Sequence, residues 1–156
     1  MTFLSPRPAP GGRTKMVTDV PAFAAALADH LPYGARFAGV LPITNPEPNC
    51  CCQIEFAENQ DIALVIQRDE LSSQNGRVTI HPWIGGICYD GSDFADRCRR
   101  VIEGFDAPRG DVPRVAAITV SVSRPLDRAA VEIDRRVLIP MVKTFNGFRR
   151  FAMAFL

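Results

Sequence analysis

Three consecutive segments of the chain alternate apolar with polar residues at a period of two, and this pattern is the strongest constraint on the fold. The apolar positions, in chain order, are Cys50, Cys52, Ile54 and Phe56, then Ile62, Leu64 and Ile66, then Val78 and Ile80. Successive side chains of a β-strand point to opposite faces, so each segment predicts a strand with one buried face. The connection at 58–61 is tight and the one at 68–76 is looser, which predicts an antiparallel meander. Asn75-Gly76 also favours a two-residue hairpin that would pair Gln74 with Arg77, so the register of the third strand stays open.

Other segments have strand and helix patterns of their own. Segments 35–43 and 115–122 are typical of further strands. Asp19 and Ser92 each precede apolar residues at helical spacing and are good N-caps, and Pro125 suits the first turn of a long last helix. We therefore expect an α+β fold with an antiparallel sheet of about four to five strands and about three helices packed mostly on one face.

Pro140 lies inside the pattern of the last helix, whose apolar stripe continues to Phe145. A proline within a helix removes one backbone hydrogen bond and its ring clashes with the preceding turn. We expect a kink at Pro140 and a helix end at Asn146 and Gly147.

The chain has the length of one ordinary domain, with 156 residues of which 47% are hydrophobic. Residues 1–18 contain three prolines and two adjacent glycines between positions 6 and 12 and have no periodic apolar face. We expect residues 1–18 to be a flexible or extended N-terminal arm and residues 19–156 to be the single domain.

The apolar runs and the cysteines bear on the compartment. No run approaches the roughly 18 to 20 residues that span a bilayer, and the first residues lack the apolar stretch of a secretory signal. The five cysteines include three neighbours at 50–52, a poor basis for a disulfide framework. A reducing cytoplasm is the expected location.

Alternation also assigns an outer face to the meander, and that face carries the candidate ligand residues. In two of the plausible pairing registers of the meander, Glu55 and His81 lie in line on either side of the intervening strand, about 9 to 10 Å apart. This separation is too large for a direct hydrogen bond. A catalytic pair would thus need sheet twist or an extended rotamer to assist it. Even so, Glu55, His81 and the loop thiol Cys88 are the alternative ligand or catalytic site, with Trp83 on the same face.

Motifs of established chemistry are missing from the sequence. The glycines at 85 and 86 lack the further glycine and the lysine of a phosphate-binding loop, and no nucleophile elbow or zinc-binding helix motif occurs. Alternation directs Cys50 and Cys52 away from Cys51, so the triplet cannot converge on one metal. We expect neither a metal nor another cofactor.

Aromatic and arginine side chains favour protein recognition, since both residue types are common interface anchors. The candidate interaction residues are Trp83, Arg135, Arg136, Lys143, Phe148, Arg149, Arg150, Phe151 and Phe155. The leading hypothesis is a non-enzymatic module that binds a larger protein as an adaptor, chaperone or inhibitor.

Two further hypotheses about partners remain open. Residues 1–91 hold 6 basic and 9 acidic side chains, whereas residues 92–156 hold 12 and 8, so an anionic partner would meet the C-terminal part. Nucleic acid is the alternative partner, and the arginines that would contact it are Arg97, Arg99, Arg100, Arg135 and Arg136. A homodimer through an edge strand or the last helix is also compatible with the pattern.

Overall fold

The computed structural model describes residues 3–8, 11, 14–41, 51–60, 62–68, 76–84, 87–88 and 115–143. In chain order, its strands are β1 Leu4–Pro8, β2 Thr14–Thr18, β3 Ala35–Val40, β4 Cys51–Phe56, β5 Ile62–Arg68, β6 Arg77–Ile84, β7 Ile87–Cys88 and β8 Ile118–Ser121. The α-helices in these ranges are α1 Val20–Ala28 and α2 Leu126–Ile133, and a π-helical turn at Asp134–Leu138 follows α2.

The main sheet is an antiparallel meander, as the alternation predicts. Its strand order is β3-β4-β5-β6, and β7 and β8 both pair the far edge of β6. β8 pairs with the first half of β6, residues 77–80, whereas β7 pairs only with Trp83 and Ile84 of β6. Pro82, which has no N–H to donate, lies between those two stretches, where neither β7 nor β8 pairs β6.

The helices that the structure describes cover one face of this sheet, which confirms the α+β prediction. Phe23 and Leu27 of α1 and Ile133 of α2 are fully buried, in one core cluster with the inward side chains of the strands. The strand members of that cluster are Cys52, Ile54, Phe56, Ile62, Leu64, Ile66, Val78, Ile80, Ile118 and Val120. The helix predicted to begin after Ser92 lies outside the described residues.

Asp19 begins α1 as its sequence context predicts. The Asp19 carboxylate accepts a hydrogen bond from the Ala22 N–H at 3.1 Å, and proline occupies the first turn. Beyond the helix, Tyr33 and Gly34 both have positive φ, at 64° and 66°. A Cβ on Gly34 would sit 3.1 Å from the Ala57 Cβ, so a glycine allows the chain to turn tightly into β3.

A π-helical turn precedes Pro140 in the last helix; the kink at Pro140 stays a prediction, and the predicted helix end at Asn146 and Gly147 lies outside the described residues. The helix widens before the proline, in the π-helical turn Asp134–Leu138, where the Ile139 N–H donates to the Asp134 carbonyl oxygen. Helical backbone then continues through Pro140 to Lys143. A wide turn holds one extra residue, which relieves the clash between the proline ring and the preceding carbonyl groups.

Residues of the predicted N-terminal arm form a β-hairpin in which Leu4 pairs with Thr18 and Pro8 with Thr14. Phe3 and Val17 are buried, and Phe3 belongs to the main core cluster. The prolines are compatible with a two-stranded ribbon because both of its strands are edges. None of the helices within the described ranges is long and apolar enough to cross a membrane.

Candidate functional site

The outer face of the sheet, opposite the helices, arranges its side chains in rows across the strands. One row runs Arg36, Glu55, Ala63 and Trp83, because each of these residues pairs with the next on the neighbouring strand. The row beside it runs Gly39, Gln53, Val65 and His81. These pairings confirm the predicted set of outward residues and fix the register that alternation leaves open.

The register aligns Glu55 with Trp83, which differs from the two registers that would align Glu55 with His81. His81 lies one row away, in line with Gln53 across Val65. Cys88 pairs with Trp83 through the backbone, and its side chain is outside the described part of the chain. The structure therefore places Glu55 and Trp83 in one row, separated by Ala63, and His81 in the adjacent row, two residues from Trp83 along β6.

Arg36 joins Glu55 and Trp83 in a cleft on this face. The Arg36 Nη2 atom lies 3.1 Å from the Glu55 Oε2 atom, in an ion pair whose side chains are 69% and 44% exposed. The cleft has a volume of about 330 Å³, and its lining residues are Arg36, Gln53, Glu55, Phe56, Gln60, Ile62, Ala63 and Trp83. A basic, an acidic and an aromatic side chain thus share one open hollow with two amides.

His81 lies on a less solvent-exposed part of the outer face. Its cross-strand neighbour Val65 is buried with Cys51, and Leu41 and Trp83 pack against that pair. Burial lowers the pKa of the His81 imidazole, because desolvation disfavours the charged ring. A neutral His81 suits a half-buried structural position, with one apolar neighbour and no carboxylate in its row.

Cys51 and Cys52 are consistent with the packing role that alternation assigns them. Cys52 is fully buried in the main core, and Cys51 is buried on the opposite face of the sheet. Two thiols on opposite faces cannot bind one metal ion. Within the described ranges, no group of three or more His, Cys, Asp and Glu side chains is placed to hold a metal ion.

Of the predicted interaction set, Trp83 lies on the outer face of the sheet, and the last helix holds the other described members. Arg135, Arg136 and Lys143 are exposed. Glu132 forms ion pairs with both Arg136, at 2.8 Å, and Arg124, which offsets part of the positive charge. The remaining candidates, Phe148, Arg149, Arg150, Phe151 and Phe155, lie outside the described residues, as do Arg97, Arg99 and Arg100.

Exposed apolar side chains at the edge of the sheet were not predicted from the sequence. Phe37 and Val40 of β3 pair with Ile54 and Cys52, which belong to the buried face. Nevertheless, Phe37 is 37% exposed and Val40 is 43% exposed. Strict alternation would place positions 37 and 40 on opposite faces; the β-bulge between Phe37 and Gly39 brings both to the inner face, and alternation carries no information on which strand ends the sheet.

Neither a family model, nor a curated protein, nor a solved structure matches the chain.

Proposed function

We propose that the protein is a non-enzymatic interaction module that binds an extended segment of a partner protein along the open edge of β3. The observation that carries this proposal is the exposure of Phe37 and Val40 on a strand that ends the sheet. Pairing with an exposed sheet edge is a common mode of peptide recognition.

The backbone of β3 supports this mode of binding. In the sheet built by the described residues, β3 has β4 on one side and no strand on the other. The outer edge of such a strand offers a row of N–H and C=O groups to an incoming chain. A partner in extended conformation would satisfy those groups without disturbing the rest of the sheet.

The side chains of β3 determine which residue types a partner segment needs. Phe37 and Val40 face the side of the sheet that the helices cover, yet more than a third of each is exposed. Residues of an added strand that lie beside them would share this face, since paired residues point the same way. Apolar residues at alternate positions of the partner would therefore extend the core beyond β3.

A β-bulge limits how much chain β3 can accept. The register shifts between Phe37 and Gly39, so that Ala38 has no partner in β4, and Gly39 has a φ of 120°. A bulge bends a strand and increases its twist, which hinders continuous pairing with long strands. The edge is thus suited to a short peptide segment and is protected against unlimited sheet growth.

Selection from a display library of random heptapeptides against the full chain tests the proposal. We expect the selected peptides to alternate apolar with polar residues. The double variant Phe37→Lys, Val40→Lys should lower their affinity by about tenfold or more, because it replaces the apolar surface with charge. Fluorescence polarisation of a labelled selected peptide measures the affinity.

The matched control is Val131→Lys, Ile139→Lys, which changes the exposed aliphatic residues of the last helix. It should leave peptide affinity unchanged, and circular dichroism should show that both double variants are folded. Failure to select any alternating peptide, or equal binding by the β3 variant, would refute the proposal. A stable dimer that the β3 variant dissociates would identify a second copy of this chain as the occupant, which also contradicts it.

A further inference from the structure

Ala63 is the smallest member of the row Arg36, Glu55, Ala63 and Trp83. It pairs with Glu55 on one side and Trp83 on the other. Adjacent strands lie about 4.8 Å apart, so the backbones at Glu55 and Trp83 are separated by about 10 Å. Between them the row holds only the methyl group of Ala63, which lines the cleft although it is itself 6% exposed, so a larger side chain at this position would project into the cleft.

Trp83 supplies the aromatic part of the cleft lining. Its side chain is half-buried and packs against the cluster of Cys51 and Val65, which restricts its motion. Aromatic side chains in such positions stack on flat rings, and this contact contributes substantially to the binding of nucleobases.

Arg36 and Glu55 supply a polar edge with no net charge. Their side chains are joined at 3.1 Å by one N–H of the guanidinium, which has five N–H donors in total. The pair therefore presents unused N–H donors beside carboxylate acceptors. The side-chain amides of Gln53 and Gln60, which also line the cleft, each add a carbonyl acceptor and an NH₂ donor group. An anion would meet the Glu55 charge and a cation would meet the Arg36 charge, so the site favours a neutral ligand.

We propose that this cleft binds a small, planar, uncharged heteroaromatic ring whose edge carries adjacent hydrogen-bond donors and acceptors, as a nucleobase does. The ring stacks on Trp83 above Ala63, and its polar edge pairs with Arg36, Glu55 and the two amides. This site is separate from the β3 edge, which lies on the other side of Arg36 and is occupied through Phe37 and Val40.

Tryptophan fluorescence tests the proposal directly because Trp83 is the single tryptophan of the chain. The probes are adenosine, guanosine, cytidine and uridine, added to the full chain with excitation at a wavelength where nucleosides absorb little. We expect a saturable change in emission with at least one of them. Isothermal titration calorimetry then measures the affinity without the optical signal.

Variants of the cleft locate the binding. Ala63→Leu places a larger side chain in the lining of the cleft and should weaken nucleoside binding by about tenfold or more. Glu55→Gln removes the charge of the acceptor and should weaken it by about threefold to tenfold, which keeps the test decisive if Ala63→Leu does not fold. Ala117→Leu, at an exposed position before β8, is the matched control and should bind as the unaltered chain does.

Three results would overturn the proposal. They are the absence of a saturable response to any nucleoside, a response that Ala63→Leu and Glu55→Gln leave unchanged, and tighter binding of a charged or zwitterionic probe such as glutamate, lysine or phenylalanine. The variants also separate the two proposals. Phe37→Lys, Val40→Lys should retain nucleoside binding, and Ala63→Leu should retain peptide binding.

Discussion

The Gly76 N–H donates a hydrogen bond to the Thr18 Oγ1 atom at 2.9 Å, and this contact joins positions 58 residues apart in the chain. Thr18 ends β2 and its side chain is buried. The carbonyl oxygen of Gly76 in turn accepts a hydrogen bond from the Val122 N–H at 2.7 Å. One residue before β6 therefore connects the N-terminal hairpin to the end of β8.

Replacement of Thr18 by valine should destabilise the fold, because it keeps the shape of the side chain but leaves the Gly76 N–H without its acceptor. This hydrogen bond is part-buried, and a typical intramolecular hydrogen bond contributes about 0.5 to 1.5 kcal/mol, so the free energy of unfolding should fall by about that amount in urea titrations. Thr18→Ser retains the hydroxyl and should lose less. Thr119→Val, at an exposed position of β8, should have little effect; an equal loss there would contradict this reasoning.

Phe3 should contribute to global stability although it lies near the chain terminus. Its ring packs edge-on against Phe23 with centroids 5.4 Å apart, and its carbonyl oxygen accepts the Asp19 N–H at 2.7 Å. Phe3→Ala should lower the free energy of unfolding by about 3 kcal/mol, since it leaves a cavity in the core. Thermal and urea unfolding measure this loss, and Pro6→Ala, at an exposed site, is the control. Unchanged stability of Phe3→Ala would show that residues 1–18 behave as a detached arm.

His81 should make stability decrease in mild acid. Burial lowers the pKa of His81 in the folded chain, while the unfolded chain has the ordinary value of about 6.5. The unfolded state therefore binds more protons below that value, and stability present above it is lost as the pH falls towards the folded-state pKa. His81→Gln should flatten this part of the stability profile measured by urea unfolding. His30→Gln, at an exposed position, should preserve the slope; a slope that His81→Gln does not alter would argue against this assignment.

Asp134 should contribute a pH dependence of stability opposite in sign to that of His81. The Oδ1 atom of its partly exposed side chain is buried without a hydrogen-bond partner among the described residues, and desolvation raises the pKa of this carboxyl. The folded state then binds the proton more readily, so the contribution of Asp134 is most favourable below the unfolded pKa of about 3.9 and declines as the pH rises through the raised folded value.

Asp134→Asn removes this titration, so its stability relative to the unaltered chain should increase as the pH rises through that window. Urea unfolding at a series of pH values measures the difference between the two chains. Asp29→Asn removes an exposed carboxylate and serves as the control. A difference that is constant with pH for Asp134→Asn would disprove desolvation of this carboxyl as the cause.

Alternation was sufficient to predict which side chains of β4, β5 and β6 face the helices, because a strand that presents the wrong face would expose Ile54, Leu64 and Ile80. It could not predict the register, since a slide of two residues preserves every face. The position of Trp83 opposite Ala63 follows from pairing along the whole of β5 and β6. The composition of the cleft therefore depends on the strand register, although Ala63 and Trp83 both lie at predicted outward positions.

The β1–β2 hairpin escaped prediction for a different reason. Prolines at 6 and 8 lower the strand propensity of β1, and the segment has no alternation of its own. Phe3 and Val17, on either side of Gly11, were the available signal. Phe3 is buried against Phe23 of α1, a contact that lies beyond the range of any local pattern.

The wide turn before Pro140 has a consequence for the length of the last helix. Ile133 and Met141 are eight residues apart and both fully buried, although eight residues of a regular α-helix rotate about 80° beyond two full circles. The π-helical turn absorbs that excess rotation, so the chain carries one residue more at this point than a regular helix needs. A chain shorter by one residue between Asp134 and Leu138 would thus keep Met141 directed at the core, whereas the same deletion within Leu126–Ile133 would turn every later side chain by about 100°.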